Sequence, residues 1–243
     1  MEVVTGQLPS SPSVIEWSSF SLTHVQYPKG DSLGKLLAFI SLSPLGIAVC
    51  MLTLILFRRD LHTITFSSGI LLNEVMNYTL KHLIREPRPL KRQEEMTVEF
   101  GMPSSHSQFM WFVATYLMFF ITFRLHHGSN NNSVWEGVWR HLLIAGGFFW
   151  AGAVAASRVY LEYHTLAQVM AGGALGALAA CAWFALTHCV FTPLFPYICS
   201  WRISELLLLR DTTLIPNVMW FEYTSYRQES RTRQRKLTSM KSQ

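Results

Sequence analysis

The chain has 243 residues, of which 50% are hydrophobic and only 14% charged, well below the charged quarter usual in soluble domains. Its formal net charge of +5 sits largely in a tail bearing Arg227, Arg231, Arg233, Arg235, Lys236 and Lys241, which reads as a solvated segment touching anionic lipid headgroups and not as a nucleic-acid surface. Cys50, Cys181, Cys189 and Cys199 have neither metal-ligand nor redox spacing, which sets aside a disulfide framework and a metal site.

Residues 1–32 lack a basic start followed by an apolar core, so they read as a tail on the lumenal side and not as a signal peptide. Leu33–Phe57 is the first run long enough to cross a bilayer, edged by Lys35 and by Arg58 and Arg59. Leu61–Ile84, Ser107–Phe123, Leu142–Ala156 and Leu166–Phe191 follow. The expected fold is an all-α, polytopic membrane bundle of five spans, with a membrane domain over 33–191. Beyond it, residues 192–243 form an interfacial segment rich in Pro, Trp and Tyr, then the basic tail. The short run Leu206–Leu209 could open a sixth span, but Arg202, Glu205, Arg210 and Asp211 make it a poor one.

Five spans put Arg58, Arg59, Arg124, Arg140 and the basic tail on one side, which the positive-inside rule makes cytosolic. The segments Arg85–His106 and Ser157–Thr165 then share the opposite face. The sequon Asn131-Asn132-Ser133 falls in a cytosolic loop and Asn77-Tyr78-Thr79 within a span, so neither is expected to carry a glycan.

Three polar pieces interrupt the apolar pattern. Along Leu61–Arg88, Asn73, Asn77 and Lys81 recur at i, i+4 and i+8, and Glu74, Lys81 and Arg88 at steps of seven, so both series fall on one helical face. A polar packing stripe and a functional lining both fit that pattern. Pro87 and Pro89 are expected to bend or end the helix near Arg88. In GMPSSHSQFMWF, residues 101–112, Ser104 or Ser105 is a good N-cap, and the free N–H groups of the helix start favour an anion with His106 beside it. Finally, Arg158 closes one span, His164 opens the next, and Gln168 lies one turn on, where it can touch His164. Gly172-x-x-x-Gly176 permits close helix packing, within or between chains.

Lys81 followed by six residues and Arg88-Pro89, then Pro103-Ser104-Ser105-His106, then Ser157-Arg158 followed by five residues and His164, resemble the three motifs of the type 2 phosphatidic acid phosphatase superfamily, over residues 81–168. The resemblance implies that His164 is the nucleophile, forming a phosphohistidine, and that His106 protonates the leaving group and then activates water. It also implies that Lys81, Arg88, Ser104, Ser105, Arg158 and the N–H groups of the Ser104–His106 turn hold the phosphoryl oxygens. No metal and no cofactor are implied. The implied substrate is a polyprenyl (dolichyl) diphosphate, hydrolysed to dolichyl phosphate at the lumenal face of the endoplasmic reticulum membrane in support of protein N-glycosylation. Phosphatidate or another polyprenyl diphosphate is the neighbouring reading, and an inactive lipid-phosphate-binding relative is the rival. Phosphoryl transfer needs positioning and charge stabilisation above all, which this residue set supplies.

Three departures stand out. Ser105 replaces the usual Gly, five spans replace the usual six, and Gln168 stands where the third motif ends in Asp. An amide at 168 can orient the ring of His164 but brings no charge, which implies a well-placed, weaker nucleophile suited to diphosphates. The stretch RDTTLIPNVMWFEY, residues 210–223, shares the resemblance but has no evident role.

Overall fold

Two short strands, β1 (Trp17–Ser19) and β2 (Gln26–Pro28), pair antiparallel with Ser18 opposite Tyr27, ahead of described elements that are all helices in the computed structural model. The structure describes residues 17–19, 25–89, 100–124, 134–215 and 217–241. Asp31 caps α1 (Ser32–Ile40) by accepting from the Leu33 amide at 3.0 Å. A turn at Ser41–Leu42 then separates α1 from α2 (Ser43–Arg58). The run Leu33–Phe57 is therefore two helices, because Pro44 has no N–H to give and its ring crowds the preceding turn. Together they still form a 27-residue apolar segment.

Asp60 caps α3 (Leu61–Ile84), accepting from the Thr63 amide at 3.1 Å. The helix stops at Ile84 because Arg85 turns left-handed, at φ 55°. Arg88 thus lies on an extended segment, not on the helical face shared by Glu74 and Lys81, as its heptad spacing suggested. Glu86 and Arg88 each precede a proline, a position from which helical backbone is sterically disfavoured. Next come α4 (Ser105–Phe119), prolonged by π-helical turns to Arg124, and α5 (Val134–Tyr160), which starts about two turns ahead of the expected Leu142. Then α6 (Leu166–Leu186) runs through a π-helical stretch, Thr187–Phe191, into α7 (Thr192–Cys199). The run expected to be a poor sixth span yields only α8 (Arg202–Leu207), and α9 (Val218–Lys241) is long and polar.

Three segments are long and apolar enough to cross a bilayer: Ser32–Arg58, Gly137–Tyr160 and Leu166–Cys199. The rods α3 and α4 complete the five, and their polarity is concentrated where they meet. Helix α4 is the centre of the bundle. Phe109, Met110, Phe112, Val113 and Tyr116 are buried on all its sides, against Phe66 and Ile70 of α3, Ala151 and Val154 of α5, and Ala180 and Phe184 of α6. Its all-round apolar sequence thus reflects protein on every side and not lipid. By contrast, α2 has no buried residue.

Helix α6 crosses α4 at glycine. A Cβ on Gly172 would lie 2.6 Å from the Ser104 carbonyl oxygen, and one on Gly176 would collide with that of Gln108. The small-residue spacing serves contact within the chain. At the opposite end of α3, residues 210–212 clasp its start. The Arg210 amide donates to the Arg59 carbonyl, the Leu61 amide to the Arg210 carbonyl (both 2.9 Å), and the Thr212 hydroxyl to Asp60 at 2.6 Å. Glu222 adds ion pairs to Arg58 and Arg210 at 3.7 and 3.3 Å. That clasp is the structural role of the 210–223 stretch.

Candidate active site

The site forms where α3 and α5 end and α4 and α6 begin. A charge at mid-span costs roughly 2.5–3.5 kcal/mol, and Lys81 avoids that cost by standing in the last turn of α3, where the carbonyl end of the helix also favours a cation. Arg88 arrives from the extended segment and is buried, as is Arg158 in the last turn of α5. The guanidinium of Arg158 sits 3.9 Å above the ring of Tyr163, which fixes its plane. Its backbone carbonyl receives the amides of Tyr163 and His164 at 3.0 and 3.1 Å, folding the chain back so that His164 faces inward. The turn needs Glu162 in the left-handed region, at φ 58°. It is anchored from outside by the Tyr163 hydroxyl, which accepts from the Gln26 amide at 3.0 Å, and by the Tyr160 hydroxyl, which donates to Asp31 at 2.9 Å.

Ser104 is the N-cap of α4, yet its side chain makes no capping bond, and its fully buried Oγ has no partner among the described residues. A polar atom so placed is costly unless something else meets it. Beyond Ser104, the amides of Ser105, His106 and Ser107 precede the first intrahelical bond, the Gln108 amide to the Ser104 carbonyl at 3.0 Å. Ser105 and His106 are half-buried in this first turn. The cations that act electrostatically on His106 are Arg158, Lys81 and Arg88. The residues singled out from sequence are thus gathered around one helix start, with cations on several sides of an anion-ready turn. Among the described residues, no three His, Cys, Asp or Glu side chains cluster as metal ligands do.

His164 is buried, and its Nδ1 lies 3.2 Å from the amide oxygen of Gln168. Gln168 is itself fully buried and closes a capping box with Thr165 at the start of α6. Burial, then Arg158 and Arg88, push the pKa of His164 down to about 3, although the bond to Gln168 opposes them. The unliganded ring is therefore neutral at physiological pH and keeps a lone pair.

Asn73 and Asn77 belong to the packing half of their stripe. Asn77 donates to the Gln108 side chain at 2.8 Å and to the Pro103 carbonyl at 3.3 Å, and Gln108 donates back to Asn73 at 3.0 Å. This buried network locks α3 against the start of α4. Sequence reading missed Gln108, bonded to Asn73 and Asn77, and Tyr163, bonded to Gln26, because these partners are far along the chain. It also passed over Glu86, whose one local signal is an acid set among Lys81, Arg85 and Arg88.

The PAP2 superfamily pattern matches residues 62–192, and the curated dolichyldiphosphatase 1 of Rhinolophus ferrumequinum is 54% identical over 222 residues, 91% of this chain and 93% of that protein. The chain belongs to the PAP2 superfamily. PAP2 proteins form a phosphatase superfamily with membrane lipid substrates. Dolichyldiphosphatase 1 of Homo sapiens is 52% identical over the same shares of both chains. A more distant PAP2 relative, lipid phosphate phosphatase gamma of Arabidopsis thaliana, is 39% identical over 85% of this chain and 90% of its own. The PAP2 fold itself is matched by the crystal structure of a transmembrane phosphatidylglycerolphosphate phosphatase from Bacillus subtilis, with a TM-score of 0.53 at 20% identity, covering 65% of this chain and 78% of that one.

Proposed function

We propose that this chain hydrolyses dolichyl diphosphate to dolichyl phosphate and phosphate, at the lumenal face of the endoplasmic reticulum membrane, recycling the lipid carrier used in protein N-glycosylation. The observation that carries the reading is the inward-facing, neutral His164 with its Nδ1 against Gln168, set among Lys81, Arg88 and Arg158 at the start of α4. Likeness to the dolichyldiphosphatases, at 52–54% identity, supports the substrate.

In this mechanism Nε2 of His164 attacks the terminal phosphorus. The N–P bond forms as the bond to the bridging oxygen breaks, and dolichyl phosphate leaves with a proton from His106. His106 then takes a proton from water, which attacks the phosphohistidine and releases phosphate. The three cations, the Ser104 hydroxyl and the amides of the 104–106 turn hold the phosphoryl oxygens throughout. An apolar cavity of about 470 Å³ lies between α5 and α6, lined by Trp111, Gly152, Val159, Leu166, Val169 and Gly173 among others. Val159 adjoins Arg158 and Leu166 follows His164 by two, which suits this cavity to the apolar chain of a substrate whose head is bound by Arg158 and His164.

The test is phosphate release by purified protein from dolichyl diphosphate, dolichyl phosphate and phosphatidate, with His164→Ala and His106→Ala alongside. The diphosphate should be preferred. His164→Ala should abolish both turnover and an acid-labile phosphoenzyme, whereas His106→Ala should slow leaving-group departure. Turnover surviving His164→Ala would overturn the mechanism. Chelation by EDTA should leave the rate unchanged, and metal-restored activity would count against the scheme.

A further inference from the structure

Gln168 has no spare hydrogen-bonding capacity in the direction of α3. One end of its amide lies 2.9 Å from Oε1 of Glu86 and 2.9 Å from the carbonyl oxygen of Pro87. The other end lies 3.2 Å from the Thr165 amide and 3.2 Å from Nδ1 of His164. These partners fix which end is which. Glu86 and the Pro87 carbonyl can only accept, so the end facing them is the NH2. Thr165 can only donate, so the end facing it is the oxygen. An oxygen opposite Nδ1 requires the proton of the His164 ring to be there, which leaves Nε2 with the lone pair.

The amide is also caged. Glu86 reaches it from the segment joining α3 to α4, and the Glu86 carbonyl takes the Gly101 amide at 2.7 Å. A Cβ on Gly101 would stand 2.6 Å from Nε2 of Gln168. Only glycine lets the segment close over the amide while Glu86 keeps its grip.

From this chain of bonds we infer that Glu86 is a positioning residue of the reaction: through the Gln168 amide it supplies the carboxylate influence that the third motif lacks. The Glu86 carboxylate draws on the N–H of the amide, and an amide so polarised carries more negative charge on its oxygen. Linked hydrogen bonds strengthen one another by about 10–30% each. The carboxylate thus acts on the His164 ring from one side chain away. It holds the tautomer and favours the positive charge that builds as Nε2 bonds to phosphorus. Gln, and not Asp, suits position 168 because the group there must donate toward Glu86 and Pro87 while accepting from His164.

The inference rests on His164 being the nucleophile, and its test separates the two. Single-turnover phosphoenzyme formation from dolichyl diphosphate is measured in full-length protein in lipid nanodiscs, for wild type, Glu86→Gln, Gln168→Ala and the double variant, with the phosphorylated residue mapped. Glu86→Gln keeps size and an acceptor oxygen but removes the charge. It should slow phosphorylation of His164 by about 10-fold with KM unchanged, the low end of what loss of a partner behind a working imidazole costs. Glu86→Asp, which retains the charge, should restore part of that loss. In the Gln168→Ala background the same Glu86→Gln change should add less than about 2-fold, since the path is already cut. In protein labelled at histidine, the Nδ1–H resonance of His164 should move to lower frequency in Glu86→Gln, as a weaker hydrogen bond requires. Phosphate mapped to His164 with no effect of Glu86→Gln, or an equal effect with and without Gln168, sinks the role of Glu86 alone. Phosphate mapped elsewhere removes the nucleophile and this inference with it.

Discussion

At His164, protonation and folding are linked. The unfolded imidazole takes a proton near 6.5, whereas the folded ring, dehydrated by burial and facing Arg158 and Arg88, takes one only near 3. Between those values the unfolded state binds the additional proton, so the contribution of the neutral buried ring is present above about 6.5 and is lost as pH falls toward 3. His164→Asn, which cannot titrate, should therefore show a shallower fall of melting temperature than wild type between about pH 7 and pH 4. Equal slopes would mean that the ring is more hydrated than its burial indicates. Position 168 makes the complementary prediction. Gln168→Glu would set a second carboxylate against Glu86 and the Pro87 carbonyl, with no donor to bridge them. Turnover of dolichyl diphosphate should drop by roughly 10- to 100-fold, and only a variant equal to wild type would contradict the bonding drawn for this amide.

Among the elements, the rods were readable from hydropathy, and Pro87 and Pro89 signalled an end to α3 near Arg88, but the break in the first rod and the residue at which α3 stops were not. Five apolar or mixed runs became five helical rods, but the break at Ser41–Leu42 and the stop at Ile84 depend on single residues, Pro44 and Arg85, within windows whose average character does not change. The histidines, cations and Ser104 could be found from motif spacing, because each sits on a local signature. Glu86 and Gln108 could not, because their partners are Gln168, and Asn73 and Asn77, which only the packing of helices brings near. The cavity between α5 and α6 was likewise hidden, since small residues in a span look the same whether they touch protein or lipid. A Cβ on Gly152 meets nothing within 4 Å, so a side chain there projects into that cavity without disturbing the helix. Gly152→Leu should raise KM for dolichyl diphosphate by about 10-fold or more, since its side chain takes the place of several buried methylenes worth about 0.8 kcal/mol each. A short, soluble prenyl diphosphate should be turned over as by wild type. Matching losses on both substrates would mean that the cavity does not hold the chain.

For the molecule as a whole, the clasp of residues 210–212 and the basic helix α9 stand at one end of α3 and the reacting groups at the other. In the proposed orientation, which sets α9 in the cytosol, the sequon at Asn77 lies within α3 beyond reach of glycosylation, and Asn77 is in any case committed to Gln108. Asn131 lies outside the described residues, in a stretch that the proposed orientation assigns to the cytosol. Mass spectrometry of protein from a glycosylating host should find both asparagines bare, and a glycan on Asn131 would invert the orientation.

The crossing of α4 and α6 at Gly172 and Gly176 also bears on how the molecule answers its bilayer. His106 and His164 stand at the starts of two helices whose backbones touch, so the gap between them is set by main chain against main chain and not by side chains that can re-pack. Hydrophobic mismatch costs fractions of a kcal/mol per Å and is relieved by whichever helix tilts most easily. Here that is α2, which has no buried residue, while α4 is buried along most of its length. The catalytic geometry is thereby insulated from membrane thickness. Reconstituted into bilayers of graded acyl length, the protein should keep a nearly constant kcat while the tilt of α2, read by a spin label at Val49, follows the thickness.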